Sequence, residues 1–182
     1  VWCKMPTINQ RGGGVMGIQG PGDFFDTIVY GERKSRHWIS GSNGHSRTLD
    51  FPKSTPETEA NQLLHLVITY QEDGTTAMYR NGKPYGKPYR RGKATFPKNQ
   101  TSVIFGLRHL PAGGNKYLVV YVDKARLYTR ALNPAEVTAS FSGQNLFVTE
   151  ADAVAAMTSS QEEKYNALAK TLGQAREVLG RV

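Results

Sequence analysis

Three acids lie in one short segment, Asp23, Asp26 and Glu32 of "DFFDTIVYGE". Two carboxylates flanking one sugar bond could hydrolyse it if they stood about 5–5.5 Å apart, as nucleophile and acid. Asp26 and Glu32 share a face of an extended chain, but six residues span about 20 Å. They cannot act together on one bond, so no catalytic residue is expected. The histidines, His37, His45, His65 and His109, lack an H-x-x-x-H spacing that would suit zinc. "SGSNGHS" brings Ser and His close in sequence but carries no G-x-S-x-G elbow. Cys3 is the sole cysteine, which excludes an intrachain disulfide. It sits in an apolar stretch and is expected to be an inert buried thiol.

Binding chemistry has more material. Glu32, Trp38, Ser42, Arg47, Arg108 and His109 all fall at strand ends or in loops. A Glu32–Arg108 ion pair inside the domain would account for two of them structurally. A ligand pocket would also use Trp38, Arg108 and His109. A third group surrounds "YRNGKPYG", Tyr79 to Gly86. Asn81-Gly82 supplies the positive φ angles of a tight hairpin, and Tyr79 is expected to pack on a sheet. Tyr85 and Tyr89 lie beyond the tip, as the tyrosines expected to be exposed enough to stack on a sugar ring. His65 opens a buried strand and belongs to the scaffold.

Strands must position these residues. "VWCKM" reads as a strand ended by Pro6, and a glycine-rich turn feeds another near Val15 to Ile18. "DFFDTIVYGE" and "RHWISGSN" have strand composition. Leu49 to Asn61 carries two prolines and reads as a loop. Turn signals at Asp73-Gly74 and Asn81-Gly82 separate strands over Leu63 to Gln71, Thr75 to Arg80 and Lys83 to Tyr85. "TSVIFGLRH" is a further strand, and "KYLVVYVDKARLYT" a long one whose second half alternates between two faces. Short strands at this spacing predict an all-β, two-sheet sandwich.

The end of the chain differs. "ALNPAEVTASF" has an N-cap at Asn133, Pro134 at the first helical position and Glu136 three residues after the cap, so a short helix is predicted. Tyr165, Leu168, Leu172, Ala175, Leu179 and Val182 follow a heptad seam. The organisation expected is a sandwich over 1–144 and a helical extension or linker over 145–182. Gly143 is a break and Thr149 an N-cap candidate, so the helix is free to meet another helix. Neighbouring domains of the parent chain and self-association through this helix are the partners it suggests.

The 182 residues carry a formal net charge of +8, with Lys and Arg scattered except in "KPYGKPYRRGK". A nucleic-acid binder would gather that charge on one surface, so nucleic acid is not an expected partner. No apolar run approaches the roughly 20 residues of a membrane span. The chain starts without an initiator Met, and it reads as the interior of a longer protein whose export signal would lie upstream.

"HLVITYQEDGTTAMYRNGKPYG", "SVIFGLRH" and "VDKARLYTRALNPAEV", in that order, resemble the laminin G-like jelly rolls of the concanavalin A-like lectin/glucanase superfamily. "FDTIVYGE", "W-x-x-GS" and "FGLRH" are similar to the version inside large multidomain proteins of planctomycete bacteria. The resemblance implies an antiparallel jelly-roll sandwich with one or two strands ahead of "VWCKM". It implies a carbohydrate or glycosylated surface as ligand, and a periplasmic or extracellular location. Glucanases of the superfamily carry E-x-D-x-x-E or E-x-D-x-E on one strand; this chain has neither. Relatives often hold one calcium ion at a sheet rim, and here Asp23 and Asp26, beside Gly20-Pro21-Gly22, could supply its oxygens. A non-catalytic binding module is therefore the first expectation, an interaction or scaffolding module the second, and a glycoside hydrolase the third.

Overall fold

A computed structural model describes residues 1–115, 117–143 and 154–179, with side chains of the last helix described to 176. The chain forms two compact units, Val1–Gln144 and Asn145–Val182. The first is a sandwich of two antiparallel sheets. Its strands are β1 (Trp2–Lys4), β2 (Gly14–Gln19), β3 (Phe25–Tyr30), β4 (Trp38–Ser42), β5 (Leu63–Tyr70), β6 (Thr75–Arg80), β7 (Lys83–Pro84), β8 (Tyr89–Arg90), β9 (Ser102–Phe105) and β10 (Tyr121–Lys124). One sheet runs β10-β1-β5-β6-β7, with β8 also on β6; the other runs β4-β3-β2-β9.

The core between the sheets is built from alternate positions. Cys3, Val15, Tyr30, Trp38, Phe51, Leu66, Met78 and Tyr85 are all buried there. Burial pushes the Cys3 thiol up to about 12, so no reactive thiolate forms at neutral pH. β3 is buried on both faces. Ile28 and Tyr30 join the core. Phe25 stacks on His109, and the Thr27 hydroxyl donates to the Arg108 carbonyl at 2.7 Å, so the segment after β9 covers the other face. Gly17 makes this packing feasible: a Cβ there would lie 2.1 Å from the Thr27 hydroxyl oxygen.

Local chemistry sets the β5-β6-β7 meander. Asn81 and Gly82 both have positive φ, 51° and 76°, as a two-residue type I′ hairpin requires. The Asn81 side chain accepts from the His65 amide at 2.9 Å and so ties the turn to β5. The helix α1 (Pro134–Ser142) closes over this region. Asn133 and Glu136 form a reciprocal capping box, and Gly143 ends the helix in a left-handed conformation. Val137 packs on Ala77, Tyr79 and Leu132. His65 is buried between the rings of Trp2 and Phe141, a scaffold position. The hairpin is therefore held down by its own domain.

The long strand expected near 117–128 is shorter than its alternation suggested. Only Tyr121–Lys124 is extended in a ladder, and all four residues are exposed. Its partner β1 runs only from Trp2, which faces Lys124, to Lys4, which faces Tyr121, and a strand persists only as far as the strand beside it. In the second unit, α2 (Ser159–Leu179) carries Leu168 and Leu172 exposed on one face. The Leu179 side chain, Val182 and the suggested cap Thr149 lie outside the described residues. No helix among the described residues is long and apolar enough to cross a membrane.

Candidate functional site

The first polar residues to assemble form not a cleft but a plug. Glu57, from the loop between β4 and β5, is buried and takes Arg80 at 2.7 Å on each oxygen. Its Oε1 also accepts the Trp38 indole N–H at 2.8 Å. The Tyr85 hydroxyl accepts from the Trp38 amide at 3.1 Å and donates to the Thr55 carbonyl at 2.8 Å. Burial pushes the Tyr85 phenol up to about 12, consistent with a neutral donor. Trp38, Tyr85 and Tyr89 are thus core residues, at 0%, 3% and 9% exposure. The expectation that they line a sugar groove is corrected: no ring among them has a free face. The polar tips of Trp38 and Tyr85 find partners inward, which makes large aromatic residues at strand ends equally suited to a core.

Arg108 and His109 are placed differently. With Glu32, Asn43, His45 and Asp23 they line a cleft of about 240 Å³ outside the core. An Arg108 Nη1 hydrogen donates to Glu32 Oε1, forming the ion pair. Arg108 Nη2 lies 3.5 Å from His109 Nε2, and the His109 ring stacks on Phe25 with centroids 4.9 Å apart. His45 Nε2 stands 3.6 Å from Glu32 Oε2, too far for a hydrogen bond. Three buried polar atoms of the cleft have no hydrogen-bond partner among the described residues: Glu32 Oε2, Arg108 Nε and His109 Nδ1. Such atoms are costly unless water or a ligand meets them. Of the two readings of Glu32 and Arg108, the ion pair forms, and it forms in the wall of a cleft.

The walls are held from behind. Arg47 pairs with Asp26 at 2.9 Å and also donates to the Phe25 carbonyl at 3.0 Å and to Asn43 Oδ1 at 3.1 Å. This fixes the 3₁₀ turn Asn43–His45, whose Gly44 and His45 have positive φ. The opposite wall hangs on β2: Gln19 accepts from the Leu110 amide and donates to the Leu110 carbonyl, both at 2.6 Å. Sequence reasoning missed Gln19, Thr27, Asn43, His45 and Glu57. Asn43 and His45 had a local signal in "SNGH", a turn rich in left-handed formers. The other three hold the site through partners distant in the chain.

The suggested calcium ligands do not fit the ion. Asp26 is buried and faces the Arg47 guanidinium, and burial raises its carboxyl to about 6 despite that partner. Asp23 is exposed and lines the cleft, which Asp26 does not. Calcium needs six to eight oxygens, several of them charged. Among the described residues no three His, Cys, Asp or Glu side chains converge on a point. The pairing of Asp23 with Asp26 as a cation site is therefore corrected.

Solved structures with this fold include Trypanosoma rangeli sialidase in complex with 2,3-difluoro-KDN, with 25% identity and a TM-score of 0.55 over 77% of this chain and 21% of that one. The same sialidase in complex with sialic acid gives 25% identity and a TM-score of 0.55 over 77% of this chain and 22% of that one. The chain thus spans about a fifth of the length of these sialidases. Among curated proteins none matches the sequence. A family model described as the concanavalin A-like lectin/glucanases superfamily (Laminin_G_3) matches residues 1–138. The paired sheets, the tied Asn-Gly hairpin and the capped closing helix agree with that match, and the chain belongs to the laminin G-like family of this superfamily.

Proposed function

We propose that the sandwich is a non-catalytic carbohydrate-binding module and that its ligand enters the Glu32–Arg108–His109 cleft. The observation that carries this reading is the set of three buried, unpartnered polar atoms in its walls. A cleft of about 240 Å³ accommodates one sugar ring or less, which suits the end or edge of a glycan. Family membership and the sialidase neighbours make a carbohydrate the favoured ligand class. A place in a large exported multidomain protein, periplasmic or extracellular, accords with the family.

A binding role without turnover is supported by how two of the acids are used. Asp26 is turned onto Arg47 and Glu32 gives one oxygen to Arg108, so both acids are held in ion pairs. A glycan array with the full chain tests binding, and Arg108→Gln should abolish the signal. Incubation with β-glucans and galactans should release no reducing sugar. Release that disappears in Glu32→Gln would replace the module by a hydrolase.

A second reading, an interaction module, is supported by the second unit. Leu168 and Leu172, four residues apart on α2, are 70% and 53% exposed. We propose self-association between copies of this helix. Light scattering on the full chain and on a version ending at Gln144 tests it: equal monomer masses at high concentration remove the idea.

A further inference from the structure

We infer that the cleft selects a neutral, hydroxyl-rich sugar and discriminates against an acidic one, an inference that rests on the carbohydrate reading above. Among the described residues, Arg108 is the only Lys or Arg in the cleft lining. Carboxylated sugars are best held by an arginine fork that offers two parallel N–H groups. Here the guanidinium is already paired with Glu32. Nη1 serves Glu32, and Nη2 points toward His109 at 3.5 Å. Two carboxylates, Glu32 and Asp23, share the lining with this single cation. An acidic ligand would add a third anion to the same small volume.

The unpartnered atoms point the same way. Glu32 Oε2 can only accept, Arg108 Nε can only donate, and His109 Nδ1 can do either according to tautomer. A carboxylate or sulfate has no hydrogen to give Glu32. A sugar hydroxyl both donates and accepts, so two adjacent hydroxyls can satisfy the carboxylate and the guanidinium together. His45 stands over Glu32 Oε2 at 3.6 Å with its side chain 45% exposed, so it can turn outward to admit a hydroxyl. The His109 ring, backed by Phe25, gives the sugar's C–H face a wall.

The test uses the full ¹⁵N-labelled chain and two probe sets of matched size: galactose and glucose, against galacturonic acid and glucuronic acid. The amides of Gly44, Gly113 and Gly114 report, because the first lines the cleft and the other two approach His109 and Arg108. A neutral sugar should shift these resonances with at least tenfold tighter binding than any acidic sugar. Glu32→Gln leaves the Arg108 charge unpaired and removes an anion, so acidic sugars should gain about tenfold while neutral ones weaken. Asp23→Asn, at an exposed turn position with little risk to folding, should give a smaller gain of the same sign. Acidic sugars that bind the wild-type cleft as tightly as neutral ones, or variants with no gain, would overturn the selectivity and leave the carbohydrate reading standing. No shift with either set would overturn the carbohydrate reading itself, and the selectivity with it.

Discussion

Replacing Glu57 by Ala should be the most damaging single change to the sandwich outside its apolar core. Glu57 accepts three short hydrogen bonds, two from Arg80 and one from the Trp38 indole, and it is buried. Removing one partner of a buried ion pair costs roughly 3–5 kcal/mol. Arg80 is 30% exposed and can regain water, so the lower part of that range applies to the pair. The Trp38 N–H cannot regain water, and a buried unsatisfied donor costs about 1–3 kcal/mol. These penalties overlap, and a total of about 4 kcal/mol is expected. Glu57→Gln keeps an acceptor for Trp38 and should lose only about 1–2 kcal/mol. On a Trp38→Phe background the cost of Glu57→Ala should shrink by about 1 kcal/mol or more, since no indole donor is left stranded. Urea unfolding followed by tryptophan fluorescence measures all four variants. Both tryptophans, Trp2 and Trp38, lie in the sandwich, so the signal reports that unit alone. A loss below 1 kcal/mol for Glu57→Ala, or an unchanged cost on the Trp38→Phe background, would refute the reasoning.

Two buried groups should oppose each other in acid. Burial raises Asp26 from 3.8 to about 6, so the folded state takes up its proton first and gains stability as pH falls from about 6 to 4. Burial lowers His65 from 6.5 to about 4, so the unfolded state takes up its proton first and the fold loses stability over the same interval. Each displacement is worth about 3 kcal/mol at 1.36 kcal/mol per pH unit. Urea midpoints should therefore fall steeply below pH 6 in Asp26→Asn and rise in His65→Phe; parallel profiles in the two variants would contradict this. Gly82→Val should lose at least about 1 kcal/mol, because a β-branched residue resists a φ of 76° and its Cβ would press on Phe141 at 3.1 Å. An unchanged melting midpoint would show that the turn tolerates another shape. Gly17→Ala should destabilise by about 2 kcal/mol or more through its clash with Thr27 and should be partly rescued by Thr27→Gly. EDTA and calcium should leave the melting midpoint of metal-free protein unchanged, and a rise with calcium would restore a cation site.

What the sequence revealed depended on how local the chemistry was. Asn81-Gly82 and the Asn133–Glu136 box are legible because each is satisfied within a few residues, whatever surrounds it. The strands from Leu63 to Arg80 are legible because their turns mark both ends. Glu57 is illegible, since a glutamate in "KSTPETEAN" looks solvated until Arg80, 23 residues on, is folded against it. Trp38, Tyr85 and Tyr89 mislead for a related reason. An aromatic ring near a strand end serves a core or a sugar equally well, and only the second sheet decides which. In the cleft, Arg108 and His109 were named from their place beside "FG", but their counterparts Asn43 and His45 come from a turn whose only signal was its shape.

The double hold on Leu110 by Gln19, with the Thr27 bond to Arg108, has a thermodynamic consequence. One wall of the cleft is bolted to the middle of a sheet, and the other is clamped by Arg47. The entropy of arranging these groups is therefore lost once, when the chain folds, and not again at each encounter with a ligand. Binding by so stiff a receptor should show a small heat-capacity change and little structural adjustment. Weak affinity for a single sugar would then reflect the small contact area alone. Strength would come from presenting several such modules to a repetitive glycan, where effective concentration multiplies modest contacts.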